Sequence, residues 1–420
     1  MVTMRTVIVV GAGAAGLMAA GQAVGQGTRV LLIERMPQPG LKLSITGKGR
    51  CNLTNVGTVD DFTNHFGRNG RFLRPAFSSF LSAGLIRFVE ALGVSTVTER
   101  GGRVFPVTQN AKDVTEKLID WARAHGVSLM TNTRVQRILA RGNAVAGVVA
   151  NGQTHSANAV IIATGGASYP ETGSSGDGYM LAQSLGHTVV PIRPALVPLE
   201  TAGHIAQRLQ GLSLRNVTVR LLINGKKRKE EFGEMLFTHF GISGPIILTL
   251  SRTVVDALRD KQEVFISIDL KPALDEKHLD ARLVRDWKEF GKRQFKTLLE
   301  ELLPKKLIPV FADLSGVPPD KCGHQITVAE RKRVRMLLKD FQLKVTRHRH
   351  FAEAIITAGG VSTKEINPHT MESRLVRGLY FAGEVIDIDA DTGGYNLQAA
   401  FSTGWVAGKS AGQENKQTFR

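Results

Sequence analysis

The chain has 420 residues, of which 42% are hydrophobic and 22% charged, an ordinary composition for a globular protein. At this length one hydrophobic core rarely suffices, so we expect two or three domains. No apolar run reaches the ~18 residues that suggest a membrane span, and strand-like sequence begins at Val7, leaving no room for a signal peptide. Two cysteines, Cys51 and Cys322, are too few for a disulfide framework and indicate a reducing, cytoplasmic location.

The net charge is +17, from 54 basic and 37 acidic side chains, and much of the excess lies in short runs at residues 226–229, 331–335 and 347–349. Such a charge attracts RNA, a membrane surface or a dianionic cofactor or substrate. The alternative is a solvated surface that keeps the protein in solution. Aromatic residues are only 6%, and no RNA-binding module with stacking aromatics is visible. A nucleic-acid partner is therefore disfavoured without being excluded.

The first part of the chain alternates strand and helix patterns, as a parallel sheet requires. Strand-like residues 6–10 lead to a small-residue helix at 14–25 and a second strand at 30–33. A glycine-rich segment at 40–55 precedes helical patterns at 74–92 and 114–125.

Three strands are expected next, at residues 134–140, 144–149 and 159–163. Asn151-Gly152 lies between the last two, and this pair favours a hairpin turn because both residues tolerate positive φ. We therefore expect the last two strands to form a hairpin.

The pattern changes at about residue 190. Alternating polar and apolar residues at 217–223 and 263–270 indicate antiparallel strands, and helical spacing extends from 272 to 341. A buried strand at 378–382 and a small-residue helix at 397–411 complete the chain. The sequence thus predicts an α/β fold. It comprises a discontinuous, doubly wound Rossmann-type domain (1–189 and 368–420), an inserted antiparallel β domain (190–271 and 343–367), and a helical subdomain within it (272–342).

A glycine fingerprint of GxGxxG spacing occupies residues 11–16, after the first strand and at the start of the first helix. Gly11 permits the tight turn, Gly13 lets the backbone approach a pyrophosphate, and Gly16 allows close packing of helix and strand. The helix N-terminus attracts the phosphates. Glu34 ends the second strand, where its carboxylate suits a ribose diol. The segment therefore predicts dinucleotide binding.

Further glycine clusters indicate which dinucleotide is bound. Residues 46–52 (Thr-Gly-Lys-Gly-Arg-Cys-Asn), Gly383-Glu384 and residues 393–396 (Gly-Gly-Tyr-Asn) lie far from the fingerprint in sequence. A cofactor contacted by both ends of the chain is long, and extended FAD fits this better than NAD alone. The helix that begins near Asn396 would place its positive end at the flavin and stabilise an anionic reduced ring.

The sequence resembles the bacterial BaiN-type FAD-dependent oxidoreductases, also called the aminoacetone oxidase family, within the glutathione-reductase-like flavoproteins. The resemblance covers nearly the whole chain and rests on residues 11–16, 47–55, 163–166, 173–179, 237–245 and 370–404. Gly-Arg-Cys-Asn (49–52) and Gly-Gly-Tyr-Asn-Leu-Gln (393–398) are the motifs specific to the family.

Together, the fingerprint and the resemblance imply a set of FAD contacts. The backbone of Val135 is one of them, Arg50 and Lys42 suit the pyrophosphate or the flavin carbonyls as donors, and Glu384 and Asp387 suit the ribityl hydroxyls. The expected set is Gly11, Gly13, Ala14, Ala15, Gly16, Glu34, Arg35, Lys42, Thr46, Gly47, Arg50, Cys51, Asn52, Val135, Thr164, Gly165, Gly383, Glu384, Asp387, Gly394, Tyr395, Asn396 and Leu397.

Several of these side chains have a second interpretation. Asp387, with its neighbours Asp389 and Asp391, would otherwise only solvate a loop. Cys51, beside Arg50, is either a reactive thiol or a packed one. His239 and Tyr395 are the candidate catalytic residues: His239 as a proton donor or a structural hydrogen-bonding group, and Tyr395 as a lining of the substrate side or as core packing. No motif indicates a metal site.

The predicted activity is hydride transfer between FAD and a small organic substrate. The sequence lacks a second strand–GxGxxG–helix unit, so the hydride would come from transiently docked NAD(P)H or directly from the substrate. Reduction of an activated C=C bond is favoured over oxidation of a small amine by oxygen. A basic flavoprotein that acts on tRNA is the alternative from another class, and a non-catalytic flavin-bound protein is a third.

Overall fold

The structure is a computed structural model that describes residues 4–413. It divides into two compact units: unit 1 comprises Met1–Pro194 and Phe351–Arg420, and unit 2 comprises Ala195–His350. A discontinuous first unit is the arrangement that the sequence predicts, with different boundaries. The chain returns to unit 1 at Phe351 and not at residue 368, because the buried strand Ile356–Val361 pairs with Val189–Ala195.

The described residues form nineteen strands. In chain order they are β1 Arg5–Val10, β2 Thr28–Ile33, β3 Thr54–Asn55, β4 Thr96–Thr98, β5 Arg103–Pro106, β6 Ser128–Met130, β7 Val135–Arg141, β8 Ala144–Ala150, β9 Gln153–Ser156, β10 Ala159–Ile162, β11 Val189–Ala195, β12 Leu199–Thr201, β13 Ser213–Ile223, β14 Lys226–Phe237, β15 Gly241–Ser243, β16 Val264–Asp269, β17 Phe341–His348, β18 Ile356–Val361 and β19 Leu379–Phe381.

Fourteen α-helices accompany them in the same part of the chain. They are α1 Ala14–Ala23, α2 Leu41–Ile45, α3 Val59–Asn64, α4 Gly70–Ser79, α5 Ser82–Ala91, α6 Ala111–Ala124, α7 Asp177–Gln183, α8 Ile205–Arg208, α9 Pro245–Arg259, α10 Glu276–Glu289, α11 Phe295–Leu299, α12 Ile308–Ser315, α13 Val328–Lys339 and α14 Tyr395–Gly412.

Unit 1 is built on a parallel sheet of order β19-β10-β1-β2-β6. Its central strands are unbroken apolar runs, and residues 7–9 and 159–162 are fully buried. Such runs are typical of parallel strands covered on both faces. The sheet confirms the predicted doubly wound α/β class, and α1 leaves the carboxyl end of β1, where dinucleotide sites form in this architecture.

The predicted hairpin is wrong in its second strand. The turn Asn151-Gly152 joins β8 to β9, and β7-β8-β9 forms a separate antiparallel sheet, whereas β10 pairs in parallel with β1. β9 (Gln-Thr-His-Ser) is polar and largely exposed, so its sequence carries no hydrophobic signal. β10 is fully buried, which suits the centre of the parallel sheet and not a hairpin edge.

Close packing of α1 against α14 joins the two ends of the chain. A methyl group at Gly404 would lie 2.4 Å from the Ala15 carbonyl oxygen, and one at Gly408 would lie 2.3 Å from that of Ala19. Gly412 stands in the same relation to Ala23, at 2.5 Å. Glycines spaced four residues apart share one face of a helix, so this face lets the two backbones approach within the reach of a side chain.

Unit 2 is a closed antiparallel barrel of order β12-β15-β14-β13-β16-β17, completed by the pairing of β12 with β17. The helices of residues 276–339 contribute Leu279, Leu283 and Trp287 to the same hydrophobic core as the barrel. The helical segment that the sequence predicts as a subdomain is therefore part of one compact unit with the strands. Within residues 4–413, no helix combines the length and apolar character needed to cross a bilayer.

Replacing Gly408 with alanine tests the helix contact. We expect Gly408→Ala to lower the free energy of unfolding by at least ~1 kcal/mol, because the added carbon meets a backbone oxygen that no rotamer change relieves. Gly25→Ala is the control, since its added carbon would lie 3.9 Å from the nearest atom. Urea denaturation of both variants measures the difference, and equal stabilities would contradict the close packing.

Candidate FAD site

The three glycines of the fingerprint have the geometry that their spacing predicts. Gly11 has φ +98°, and a methyl group there would lie 2.7 Å from the Ala163 oxygen. One at Gly16 would lie 1.8 Å from the Gly11 oxygen, so helix and turn are in direct contact. A methyl group at Gly13 would meet no atom within 4 Å. The backbone at Gly13 therefore faces open space, as it must if a pyrophosphate is to approach it.

Glu34 lies directly beside this turn. Its Oε2 accepts a hydrogen bond from Ala12 N at 2.7 Å, its Oε1 accepts one from Met36 N at 2.9 Å, and the residue is 8% exposed. The backbone N–H groups of Ala14 and Ala15 lie in the first turn of α1, where helices provide no internal acceptor. A buried carboxylate and helix-start amides without an internal acceptor thus lie at one turn, a combination that a dinucleotide's ribose and phosphates would require.

Lys42 and Glu384 are paired with each other. Lys42 Nζ lies 2.7 Å from Glu384 Oε2 and donates to Ser168 Oγ at 2.7 Å. Glu384 Oε1 also accepts from Thr357 N at 2.6 Å and from Ser168 Oγ at 3.1 Å. The sequence predicts both as separate cofactor contacts, whereas in the structure they form one network with Ser168 and Thr357, which sequence reasoning missed.

The side chains of Arg50 and Arg35 also donate hydrogen bonds to other side chains of the protein. The Arg50 guanidinium donates to Glu99 and Gln109 and lies 4.2 Å from the centre of the Phe105 ring. These contacts fix the glycine-rich segment 46–52 to the neighbouring sheet.

Arg35 donates to Ser175 and lies 3.1 Å from Asp177, which Arg134 also contacts at 2.9 Å. Burial raises the pKa of Asp177, but its bonds to Ser175 and Arg134 outweigh this and hold that pKa below its usual value. Asp177 therefore carries a negative charge that binds both arginines at neutral pH.

Cys51 is a packed thiol and not a reactive one. The side chain is fully buried, and burial raises its pKa to about 12 despite a hydrogen bond with Thr46. The thiol stays protonated at neutral pH and is therefore a poor nucleophile. Gly47, four residues before Cys51, has φ +59°, and a methyl group there would lie 2.9 Å from Asn52 N. The segment 47–52 is therefore tightly folded on itself.

The segment 52–55 and the start of α14 are held together. The Asn52 amide, oriented by its hydrogen-bonding partners, accepts from Gly394 N at 3.1 Å and donates to Thr54 O at 3.1 Å. Asn55 Nδ2 donates to Gly393 O at 3.0 Å. These contacts bring together two glycine-containing segments that lie far apart in the chain; Asn55 and Gly393 are separated by 338 residues. A cofactor contacted by both ends of the chain requires this proximity.

Tyr395, the first residue of α14, is half-buried in an aromatic cluster. Its ring is 3.8 Å from that of His65, in a stacked arrangement, and 5.2 Å from that of Phe62, edge-to-face. Burial raises the pKa of Tyr395, and the charges of Asp391 and Asp61 raise it further, so the phenol is protonated at neutral pH. His65 Nδ1 lies 3.1 Å from Asp391 Oδ2. No sequence motif marks His65, which is why sequence reasoning missed it.

Asp387 and Asp389, which precede α14, are not solvated loop residues. Asp387 and Asp389 are 6% and 4% exposed, and Asn69 Nδ2 donates to Asp387 Oδ2 at 2.9 Å. Asn396 uses its side-chain amide to bind the backbone of Ala390, which fixes the loop that precedes the helix. Leu397 packs against the core of unit 1.

The remaining predicted contacts lie at the ends of buried elements. Val135 begins β7, opposite Ala150, and is buried. Thr164 follows β10; its Oγ1 is buried and has no hydrogen-bond partner within residues 4–413. Gly165 and Gly383 have φ of +72° and +76°, and a methyl group at Gly383 would lie 2.8 Å from Ala15 Cβ. Gly383 therefore packs directly against the fingerprint helix.

His239 belongs to unit 2. It is exposed in the turn between β14 and β15, with its ring 4.9 Å from that of Phe240, edge-to-face. Its role as a proton donor stays a prediction. Within residues 4–413, no three His, Cys, Asp or Glu side chains are grouped as a metal ion would require.

Residues 5–410 match the family model described as HI0933-like protein Rossmann domain. The chain belongs to this family. It is 33% identical to a 3-dehydro-bile acid delta(4,6)-reductase of Clostridium scindens, over 98% of this chain and 100% of the relative. It is 32% identical to a ribosomal RNA dihydrouridine synthase of Escherichia coli, over 95% of this chain and 96% of the relative.

Solved structures share the fold at low identity. A 3-ketosteroid delta1-dehydrogenase from Sterolibacterium denitrificans has a TM-score of 0.52 at 14% identity, over 97% of this chain and 99% of its own. A flavocytochrome c3 fumarate reductase has a TM-score of 0.51 at 19% identity, over 97% of this chain and 78% of its own.

The chain is an FAD-dependent oxidoreductase, as its family and its relatives indicate. The open space at Gly13 and the carboxylate of Glu34 are consistent with this.

Replacing Gly13 with valine separates cofactor binding from folding. The protein offers open space at this position, and its φ of −80° suits any residue, so Gly13→Val should fold normally. The added side chain would occupy the pyrophosphate position, and we expect the purified variant to carry at least tenfold less flavin than the wild type. Flavin absorbance relative to protein gives the occupancy.

The matched variant is Gly16→Ala, whose added carbon would clash with the Gly11 oxygen. We expect it to lose thermal stability together with flavin. A Gly13→Val protein that retains full flavin content would contradict the assignment of the pyrophosphate site.

Proposed function

We propose that this chain uses FAD to reduce a C=C bond conjugated with a carbonyl group, with NAD(P)H as the electron donor. The observation that carries the proposal is the pair of relatives that match nearly the whole chain. One is named for reducing delta(4,6) bonds of a 3-dehydro-bile acid, and the other for making dihydrouridine in ribosomal RNA. A 3-oxo steroid with a Δ4 bond and the uracil ring share this chemistry, because each has a C=C bond in conjugation with C=O.

Reduction of such a bond places a hydride on the carbon remote from the carbonyl and a proton on the adjacent carbon. FAD, when bound, supplies the hydride. Gly13 and the start of α1 would hold the cofactor's phosphates, and Glu34 would hold its ribose; the open space at Gly13 and the position of Glu34 beside the turn support this. The partial positive charge at the start of α14, next to Gly394, would stabilise negative charge on a flavin ring bound there.

Tyr395 is the proposed proton donor. Its phenol is protonated at neutral pH because burial and the nearby Asp391 and Asp61 raise its pKa. The stacked His65 ring and the His65–Asp391 pair hold the Tyr395 ring in place. A phenol that is protonated at neutral pH and held in a fixed orientation has a proton to donate to the substrate.

The electron donor is proposed from the sequence. One strand–GxGxxG–helix unit is present, and the fingerprint that it contains is assigned to FAD. NAD(P)H would therefore bind transiently and leave once the hydride has been transferred.

Anaerobic stopped-flow mixing tests the proposal in two steps. NADPH or NADH should bleach the flavin absorbance within seconds, and a 3-oxo-Δ4 steroid or a uridine-containing RNA should then restore it. If only oxygen restores the absorbance after reduction by a small amine, the chain is an amine oxidase and the proposal is wrong. A flavin that no nicotinamide reduces within minutes would remove NAD(P)H as the donor.

Replacing Tyr395 with phenylalanine should affect only the second of these steps. General acids contribute about 10²–10⁴-fold to rate, so we expect Tyr395→Phe to slow substrate reduction at least tenfold while NADPH still reduces the flavin at the wild-type rate. Tyr169→Phe is the control for loss of a phenol elsewhere in unit 1. Equal slowing of both steps by Tyr395→Phe would indicate a packing role and contradict the assignment.

A further inference from the structure

Unit 2 contains a cleft of about 840 Å³ that the proposed reaction does not use. It lies between the β13–β14 hairpin, the segment of residues 270–274 and helix α10, so all of its walls belong to one unit. The side chains that matter for its chemistry are Arg215, Asn216, Phe232, Lys271 and Arg282.

The cleft is positively charged. Lys271 is half-buried, and its pKa is lowered first by that burial and then by the charge of Arg282. Within residues 4–413, no carboxylate pairs with the Lys271 ammonium group. Arg282 lies 3.3 Å from Asp286, and exposed Arg215 lies 3.9 Å from Glu234. An ammonium group without a carboxylate partner, next to a guanidinium group in a cleft, attracts an anion, since a bound phosphate oxygen would relieve their repulsion.

An exposed aromatic ring lies in the same cleft. Phe232 is 61% exposed and is paired with Thr218 across the hairpin. The neighbouring Val217 and Val219 face the barrel core, so Phe232 lies on the outer face by the alternation of strand side chains. Its exposed ring contributes little to the barrel core, and it is available as a surface on which a nucleobase can stack.

The surrounding charge favours a polyanion over a single small anion. Residues 195–350 carry 29 Lys and Arg against 19 Asp and Glu, so unit 2 holds ten of the chain's seventeen excess positive charges. The exposed basic run of residues 226–229 lies on β14, the same strand as Phe232. A chain molecule with repeated phosphates can extend along β14 from Phe232 toward this basic run.

We propose that this cleft binds single-stranded RNA, with a base stacked on Phe232 and backbone phosphates at Lys271, Arg282 and Arg215. The inference rests on the proposed function, for which uridine in RNA is one of the two substrate classes. In this proposal the cleft residues contact the RNA strand, and the base that is reduced lies outside the cleft. Binding is sequence-tolerant, because every base has a face that can stack and every nucleotide has a phosphate.

Fluorescence polarisation with the full chain tests the site. The probe is a fluorescein-labelled oligouridine of about ten nucleotides, within the range that such grooves cover, titrated at several salt concentrations. We expect Phe232→Ala to weaken binding by about 5- to 100-fold with an unchanged salt dependence, because stacking is not ionic. We expect the double variant Lys271→Gln/Arg282→Gln to weaken binding and to reduce the slope of log K against log salt by about 1.4, since each phosphate contact on a single strand contributes about 0.7.

The double variant Lys112→Gln/Lys117→Gln is the charge-matched control, since it removes two exposed lysines from α6 of unit 1. Its affinity and slope should equal those of the wild type. Thermal unfolding of each variant reports whether the fold is intact. Equal RNA affinity in the wild type and both cleft variants overturns the proposal. Competition by NADPH or inorganic phosphate at equal concentration, with no change of slope in the double variant, also overturns it and identifies a small-anion site.

Reduction of a 3-oxo-Δ4 steroid, measured on the same variants, separates this proposal from the proposed function. Wild-type steroid reduction without RNA binding contradicts the cleft assignment alone. If NADPH does not reduce the flavin of the wild type and the wild type does not reduce the steroid, the proposed function is contradicted, whatever the RNA result.

Discussion

The nucleotide-binding unit depends on how closely its first and last helices approach. Gly404, Gly408 and Gly412 place the backbone of α14 against the carbonyl oxygens of Ala15, Ala19 and Ala23, at distances that admit no side chain. This contact fixes the C-terminal helix to the helix that begins at the fingerprint. Because dispersion and packing forces act only at short range, the contact sets where the start of α14 lies relative to the pyrophosphate turn.

The same contact explains why both chain ends build one site. Gly383 packs on Ala15, and Gly394 is held by Asn52, so the C-terminal glycines are fixed by residues near the N-terminus. The inserted unit 2 interrupts the sequence without interrupting this arrangement. A long cofactor can therefore be bound by segments that lie far apart in sequence.

Much of the fold follows from local patterns in the sequence. The fingerprint, Glu34, the buried runs of β1 and β10 and the split of unit 1 could all be predicted, because each depends on residue spacing or on continuous apolar character. The partner of β8 could not, since β9 is polar and exposed. Closure of the barrel depends on the pairing of β12 with β17, and strands of three and eight residues far apart in the chain carry no signal of their mutual register.

The protein contacts of the expected site residues could not be predicted from the sequence. Lys42, Arg50 and Asp387 are expected at the site from the family resemblance, and their partners Ser168, Glu99 and Asn69 come from segments without a motif. Polar side chains find partners by three-dimensional proximity, which spacing along the chain does not encode. His65 and the cleft at Lys271 escaped prediction for the same reason, since a stacked ring and an uncompensated ammonium group exist only in the folded chain.

The central claim, that this chain is an FAD enzyme, is tested most directly by the absorbance spectrum of the purified protein and the identity of the flavin released on denaturation. The account predicts the two-banded spectrum of an oxidised flavin and release of FAD, with no FMN, because a cofactor without the pyrophosphate-linked adenosine would make no use of Gly13 or Glu34. A colourless protein that takes up no FAD when the cofactor is added, or one that releases only FMN, would contradict it.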